Sequence, residues 1–363
     1  ESKCDKHQAA SHGLYQANVD DLHEDYIRPQ ENGSHYDCEY VELNNSRYGM
    51  AAFSESTFSF NASYVRNKII KLPYNGNENN RQGGSQVWDP EQGKVVWVGG
   101  YQEGQTMGDM YAYQQIKVLR DQNEVQQLAG DYKDLVAGLY GPNVSEADKK
   151  KYGLTKPIEE GDVLWADLNG DNIIDELDRV KVGNIYPKWT GGFSTTLSYK
   201  NVSLYGRFDF AVGHTILNMV SMRSLGQSVG FKNIISDGLA SWTEENRDTN
   251  IPKLYYDDSS NKKNFYRSTT GGDITSSNNR SSLLYEKGDY LALRELTLSW
   301  KLPSKWISKV HMTNASIYIT GQNLFYITGY SGTSPEAPLV YPGVDTGRYP
   351  TPRTVLMGIN VSF

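Results

Sequence analysis

The sequence predicts an all-β fold, an antiparallel transmembrane β-barrel. Three observations carry that prediction. Several segments alternate apolar and polar residues with a period of two. The connections between them are sharply unequal, minimal at 200–201 and very long at 214–289. The last alternating segment ends on an aromatic residue, Phe363. Composition is consistent with this. Only 38% of the 363 residues are hydrophobic, and mean hydropathy is -0.61. A run of about 18 apolar residues is missing, which excludes a membrane-spanning helix but not a barrel. Lys+Arg 36 against Asp+Glu 43 gives a net charge of -7, which argues against indiscriminate nucleic-acid binding. The 26 tyrosines suit interfaces with one wet side and one apolar side.

Taken in order, Phe58, Phe60, Ala62 and Tyr64 alternate with Thr57, Ser59, Asn61 and Ser63. Phe193, Thr195, Leu197 and Tyr199 alternate with Ser194, Thr196, Ser198 and Lys200. The dipeptide Lys200-Asn201 is of hairpin length. Val202, Leu204, Gly206, Phe208, Phe210 and Val212 follow, with Ser203, Tyr205, Arg207, Asp209 and Ala211 between them. Leu296, Leu298, Trp300 and Leu302 oppose Glu295, Thr297, Ser299 and Lys301. Ala315, Ile317 and Ile319 oppose Ser316, Tyr318, Thr320 and Gln322. The last segment sets Val355, Met357, Ile359, Val361 and Phe363 on one face. A soluble sheet with one wet face explains any one of these strands alone. Charges placed within the strands, at Arg207, Asp209, Glu295 and Lys301, suit a hydrated lumen better. A terminal aromatic closing an amphipathic strand looks like the assembly signal of bacterial outer-membrane barrels, here Val355, Met357, Ile359, Val361 and Phe363.

One loop carries a ligand-like spacing. Asp167, Asn169, Asp171, Asp175 and Asp178 stand at positions 1, 3, 5, 9 and 12 of a calcium-loop pattern, and Ile173 would add its carbonyl at position 7. Asn172 replaces the usual glycine and tolerates a left-handed backbone. Two readings stand side by side: a Ca2+ site, and a turn whose Asp and Asn side chains bond their own backbone.

The first 50 residues hold both cysteines, Cys4 and Cys38, and four of the six histidines. Cys4 and His7 with His35 and Cys38 admit zinc, a Cys4–Cys38 disulfide, or no bond. A chain opening on Glu1 is expected to be a processed or partial product, or to have its secretion signal outside this sequence. His214 and His311 are lone and read as plain surface residues. The segment 214–289 is rich in Ser, Asn, Asp and Tyr, including Tyr255 and Tyr256, and admits two readings, a solvated loop and a surface for sugars or peptides. Serine-hydrolase, metalloprotease and nucleotide-loop motifs are missing, so an enzyme is not expected.

From about residue 57 on, the chain resembles the SusC/RagA-type TonB-dependent transporters of Bacteroidetes outer membranes. The resemblance rests on segments in the family's order. Phe58-Ser59-Phe60-Asn61-Ala62-Ser63-Tyr64 comes first, then Glu103-Gly104-Gln105, then the acidic run from Gly161 to Arg179. Gly191-Gly192-Phe193, Tyr290-Leu291-Ala292-Leu293-Arg294-Glu295-Leu296, Gly321-Gln322-Asn323-Leu324-Phe325 and Tyr349-Pro350-Thr351-Pro352-Arg353-Thr354 follow.

The resemblance implies that 51–363 is the C-terminal part of a larger barrel of the 22-stranded type with long extracellular loops. The plug and the remaining strands would lie on a separate chain or a missing N-terminal part. It implies outer-membrane import of glycans or peptides, with TonB acting through the plug and a SusD-like lipoprotein as partner. A non-transporting structural or adhesive barrel is the alternative. Residues 1–50 do not match.

With a periplasmic C-terminus, 353–363 runs down, 312–326 up, 290–302 down, 202–213 up and 190–199 down. Taking 108–118 as an up strand and 57–66 as a down strand then makes 67–107 an unusually long periplasmic connection. A strand pair near 94–99 would relieve it.

Overall fold

The computed structural model describes residues 55–225, 236–255, 264–265, 280–336 and 343–363, and the backbone alone for 34–47. Seven strands make one antiparallel sheet: β1 (Ser34–Arg47), β2 (Glu55–Ile69), β3 (Trp189–Tyr199), β4 (Val202–Val212), β5 (Tyr290–Lys301), β6 (Asn314–Thr328) and β7 (Thr354–Ser362). Sheet order follows chain order, so the sheet is a meander. β1 and β7 form its two edges and do not pair with each other.

The alternation read from the sequence becomes continuous rows across this sheet. Val202 faces Trp300, Trp300 faces Ile317, and Ile317 faces Ile359. In the next row Leu197, Leu204, Leu298, Ile319 and Met357 follow one another from β3 to β7. Apart from the half-buried Leu197 and Ile317, the residues of these rows stay exposed, to 76% at Met357. A wet sheet face would not keep uninterrupted rows of Leu, Ile and Trp, whereas the apolar band of a membrane barrel consists of them.

One interruption of the period preserves the two faces. Counting back by twos from Trp300 through Leu298 and Leu296 would put Arg294 among the apolar residues. A β-bulge intervenes: Glu295 pairs with Arg207, yet the next pair is Leu293 with Phe208. On the other side Glu295 pairs with Gln322 and Leu293 with Phe325, so β6 carries a shift at the same level. Asn323, inside that shift, takes the left-handed φ of 52° that Asn tolerates better than most residues. The extra residues put Leu293 and Leu291 back in phase with the apolar rows.

All long connections leave the sheet at one end. They are 70–188 after β2, 213–289 after β4 and 329–353 after β6. The two-residue turn at 200–201 and the segment 302–313 lie at the other end. This corrects the strand count made from the sequence. β2 pairs directly with β3 and runs antiparallel to it, so 57–66 runs opposite to 190–199 rather than with it. The expected 108–118 strand is two short ones, Asp109–Tyr113 and Gln115–Val118, paired outside the sheet with Arg179–Asn184 and Val163–Trp165. A strand does form at Lys94–Val98, but it makes a hairpin with Ser85–Asp89 and does not enter the barrel sheet. The reason is physical. Met110 and Ala112 alternate with the less buried Asp109 and Tyr111 toward a protein core, and burial against protein gives the same pattern as burial against lipid. With 70–188 as one excursion, the long periplasmic connection disappears.

That excursion has its own core of Tyr113, Leu119, Val125, Tyr132, Leu139, Ile158, Val163, Trp165 and Ile174. The described parts of the excursion after β4 carry a core as well, which corrects the reading of this segment as a solvated loop. Leu217, Met219, Leu225, Phe265 and Leu284 form a second cluster with Met110 of the first excursion. The two excursions are stitched together: Trp242 Nε1 donates to the Arg120 carbonyl at 3.1 Å, and Tyr255 Oη to Asp162 Oδ1 at 2.6 Å. Tyr256 lies outside the described residues.

Candidate functional site: the charged face and its loops

Opposite the apolar rows, the sheet gathers the charged residues. Arg207 stands across from Glu295, and Glu295 from Gln322. Asp209 lies two residues along the same face, across from Ala292, and Lys301 ends β5 with Thr297 and Ser299 between it and Glu295. All four charges singled out from the sequence thus share one face.

The residue that organises this face went unnoticed in the sequence. Arg294, projected by the bulge, donates from Nε to Asp209 Oδ2 at 2.9 Å and from Nη1 to Tyr326 Oη at 3.1 Å. Its Nη2 bonds Glu336 Oε1, which also accepts from Tyr326 Oη at 3.2 Å. The Tyr290 ring stands edge-on to Tyr326, with centroids 5.9 Å apart. A signal was present: the apolar phase set by Leu291 and Leu293 is odd, and that set by Leu296, Leu298 and Trp300 is even. A phase jump within one strand marks a bulge.

Glu336 belongs to the connection after β6, which is tied down over 330–336. Ser331 N and Oγ both donate to Glu286 at 2.8 Å, and Asn218 Nδ2 reaches the same carboxylate at 2.8 Å. Tyr330 Oη donates to Asp345 Oδ2 at 2.7 Å, and burial raises its phenol pKa, with the Asp345 charge adding to the shift. His214 corrects the surface reading: it is buried, and its Nε2 lies 3.1 Å from the Pro335 carbonyl. His311 is exposed in the short connection.

In the acidic loop the side chains bond the loop's own backbone. Asp167 Oδ1 and Oδ2 accept from Gly170 N and Asn172 N, both at 2.8 Å. Asn169 Oδ1 accepts from Asp171 N at 3.2 Å, and Asp171 Oδ1 from Ile173 N at 2.8 Å. Asp175 Oδ1 takes Leu177 N, while Asp178 bonds Leu168 N and Asp175 N, closing a capping box. Asn172 adopts φ 60°. Asp178 is fully buried, and burial pushes its carboxyl up to about 6 against the pull of those two amides. Among the described residues no three His, Cys, Asp or Glu side chains gather as a metal would require.

Val355, Met357, Ile359 and Val361 lie on the exposed apolar face of β7, and Phe363 follows the strand. Cys4 lies outside the described residues, and so does its pairing with Cys38.

Comparison with known proteins agrees with this geometry. The TonB-dependent receptor P3 of Formosa agariphila is 28% identical over 321 residues, 86% of this chain and 27% of that protein. The TonB-dependent receptor SusC of Bacteroides thetaiotaomicron is 25% identical over 213 residues, 57% of this chain and 18% of that one. The chain spans under a third of the length of these relatives. The solved RagAB peptide transporter superposes with a TM-score of 0.54 at 22% identity, covering 92% of this chain and 30% of the solved one. That likeness establishes the fold.

Residues 1–73 match a different family, described as Beta galactosidase small chain. The β-galactosidase of Actinobacillus pleuropneumoniae is 44% identical over 72 residues, 7% of that enzyme. This accounts for the first 50 residues lacking any transporter pattern. A match this short supplies no enzyme.

Proposed function

We propose that this chain, a relative of the SusC/RagA-type TonB-dependent transporters, supplies part of the wall and the long-loop cap of an outer-membrane nutrient importer. In this reading the chain sits in the outer membrane and carries cargo rather than catalysing a reaction, which its likeness to proteins named TonB-dependent receptors supports. The observation that carries the reading is the two-faced meander: exposed Leu, Ile and Trp rows on one side, Arg207, Asp209, Arg294 and Glu295 on the other. An arginine at the lipid-facing midplane costs about 2–4 kcal/mol, so the charged face belongs to the lumen. Among the described residues neither sheet edge has a partner strand, which favours a larger barrel completed by other strands over a seven-stranded adhesive one. In this reading a plug and further strands lie elsewhere, TonB acts through that plug, and a SusD-like lipoprotein meets the long loops. The long-loop end is extracellular and Phe363 periplasmic. The cargo is a large glycan or a peptide.

The test is growth of the producing bacterium on oligosaccharides or oligopeptides as sole source after deletion of the coding region. Loss on one class, with growth on monosaccharides and amino acids unchanged, supports import. Unchanged growth on both classes refutes it.

Calcium at the acidic loop belongs to the same proposal. Asp167, Asn169, Asp171 and the Ile173 carbonyl would be its ligands, with Asp175 and Asp178 completing the shell. What supports it is the spacing of these residues along the loop. The ion would stiffen the run leading into β3.

A further inference from the structure

We propose that the short connection between β5 and β6 is an anchor for anionic phospholipid, gripping the headgroup layer beside the lipid-facing sheet. It rests on the barrel reading above, with the short-turn end toward the periplasm. After Lys301 the chain makes one helical turn, Ser304–Ile307, and a second tight turn, Ser308–Val310. Only Ile307 of these faces inward. Trp306 and Val310 stay 59% and 55% exposed, although a soluble turn has no reason to present a tryptophan to water.

Their position explains it. Trp300 lies in the apolar row with Val202, Ile317 and Ile359, and the Trp306 ring meets it edge-on with centroids 5.9 Å apart. Trp306 therefore continues the lipid-facing surface one step beyond the last strand row. This is the level at which an indole, apolar in body and polar at one edge, is most at home.

The charge this connection carries is of one sign. Lys301, Lys305 and Lys309 are all exposed, and the stretch 296–316 contains no Asp or Glu. Lys200, in the neighbouring hairpin turn, adds a fourth cation, and 196–207 is also free of acids. The excursion at the opposite end is the reverse, with 19 Asp and Glu against 13 Lys and Arg over 70–188. The molecule is thus polarised along the strands. The cationic end carries the aromatic extension of the lipid face, and phosphate-bearing headgroups complement both features. Each lysine near an anionic membrane surface strengthens attachment by about 1 kcal/mol, or about fivefold.

The test uses the complete assembled transporter in nanodiscs of phosphatidylcholine, with or without phosphatidylglycerol, some lipids brominated near the headgroup. Subtracting the emission of Trp306→Phe from that of the parent isolates Trp306, and Trp300→Phe does the same for Trp300. Brominated lipid should quench both components, and phosphatidylglycerol should increase the quenching of Trp306. The Lys305→Gln, Lys309→Gln double variant should lower the parent's bound phosphatidylglycerol preference by about 25-fold, as counted by mass spectrometry of the released complex. Lys150→Gln with Lys151→Gln, in the distant acidic excursion, should retain it fully. Quenching of Trp300 without Trp306, or a phosphatidylglycerol preference unchanged in the double variant, overturns the anchor alone. A Trp300 component that brominated lipid does not reach overturns the barrel reading beneath it.

Discussion

Replacing Arg294 by leucine separates the two accounts of β5 by the sign of its effect. Under strict alternation Arg294 would face lipid, and leucine would stabilise the protein by about 2–4 kcal/mol. In the structure Arg294 instead bridges Asp209 and Glu336, with its own side chain 14% exposed against 43% and 32% for the two carboxylates. Removing one partner of a fully buried pair costs about 3–5 kcal/mol. Here water reaches both carboxylates, so much of that penalty is screened, and about 1–2 kcal/mol of destabilisation is expected. Urea unfolding of the reconstituted transporter would measure it, with Asp209→Asn and the double variant completing a cycle. The coupling should be about 1 kcal/mol, because Asp209→Asn relieves the charge that Arg294→Leu strands. Stabilisation by Arg294→Leu, or additivity within about 0.3 kcal/mol, would refute the bulge-borne network.

Phe363→Ala should lower the amount of barrel in the membrane and leave the assembled fraction as active as the parent; normal levels with lost uptake would contradict an assembly role. Asp171→Ala should abolish calcium-dependent protection of 161–189 from protease; protection unchanged with and without calcium would leave only the backbone-bonded turn. Because the Asp178 carboxyl is raised to about 6 from an ordinary 3.8, the folded loop favours its protonated form. Loop stability should be highest below pH 4, fall between pH 4 and 6, and stay level above that, and Asp178→Asn should flatten the profile in hydrogen exchange. Tyr255→Phe removes a hydrogen bond to a buried carboxylate worth about 1.5–3 kcal/mol, so cleavage within 236–255 should accelerate. Equal cleavage rates would show that the two excursions are not joined there.

The strands legible in the sequence were those whose apolar face is exposed. Val202 through Val212 and Thr354 through Ser362 keep their phase from end to end, and β3 and β6 follow them residue for residue. Where an alternating run packs on protein instead, the pattern looks the same and misled the strand count, as at Met110 and Ala112. Arg294 was hidden because period counting assumes an unbroken ladder, and its partner Glu336 arrives from 41 residues further on, counted from Glu295. His214 reads as a lone surface histidine until the chain near Pro335 folds back over it. The acidic loop was visible as spacing, but spacing does not say whether amides or an ion occupy the oxygens. Its own amides suffice for the conformation seen here.

The central claim is that one sheet face meets lipid and the other water. Site-directed spin labelling tests it most directly, with single cysteines at Leu204, Leu298, Ile319 and Met357 on one face and at Arg207 and Glu295 on the other, in a transporter whose Cys4 and Cys38 are serine. Relaxation by oxygen, which partitions into lipid, should dominate at the first four positions, and relaxation by a water-soluble nickel chelate at the last two. Chelate access at Leu298 and Ile319 equal to that at Arg207 and Glu295 would contradict the claim.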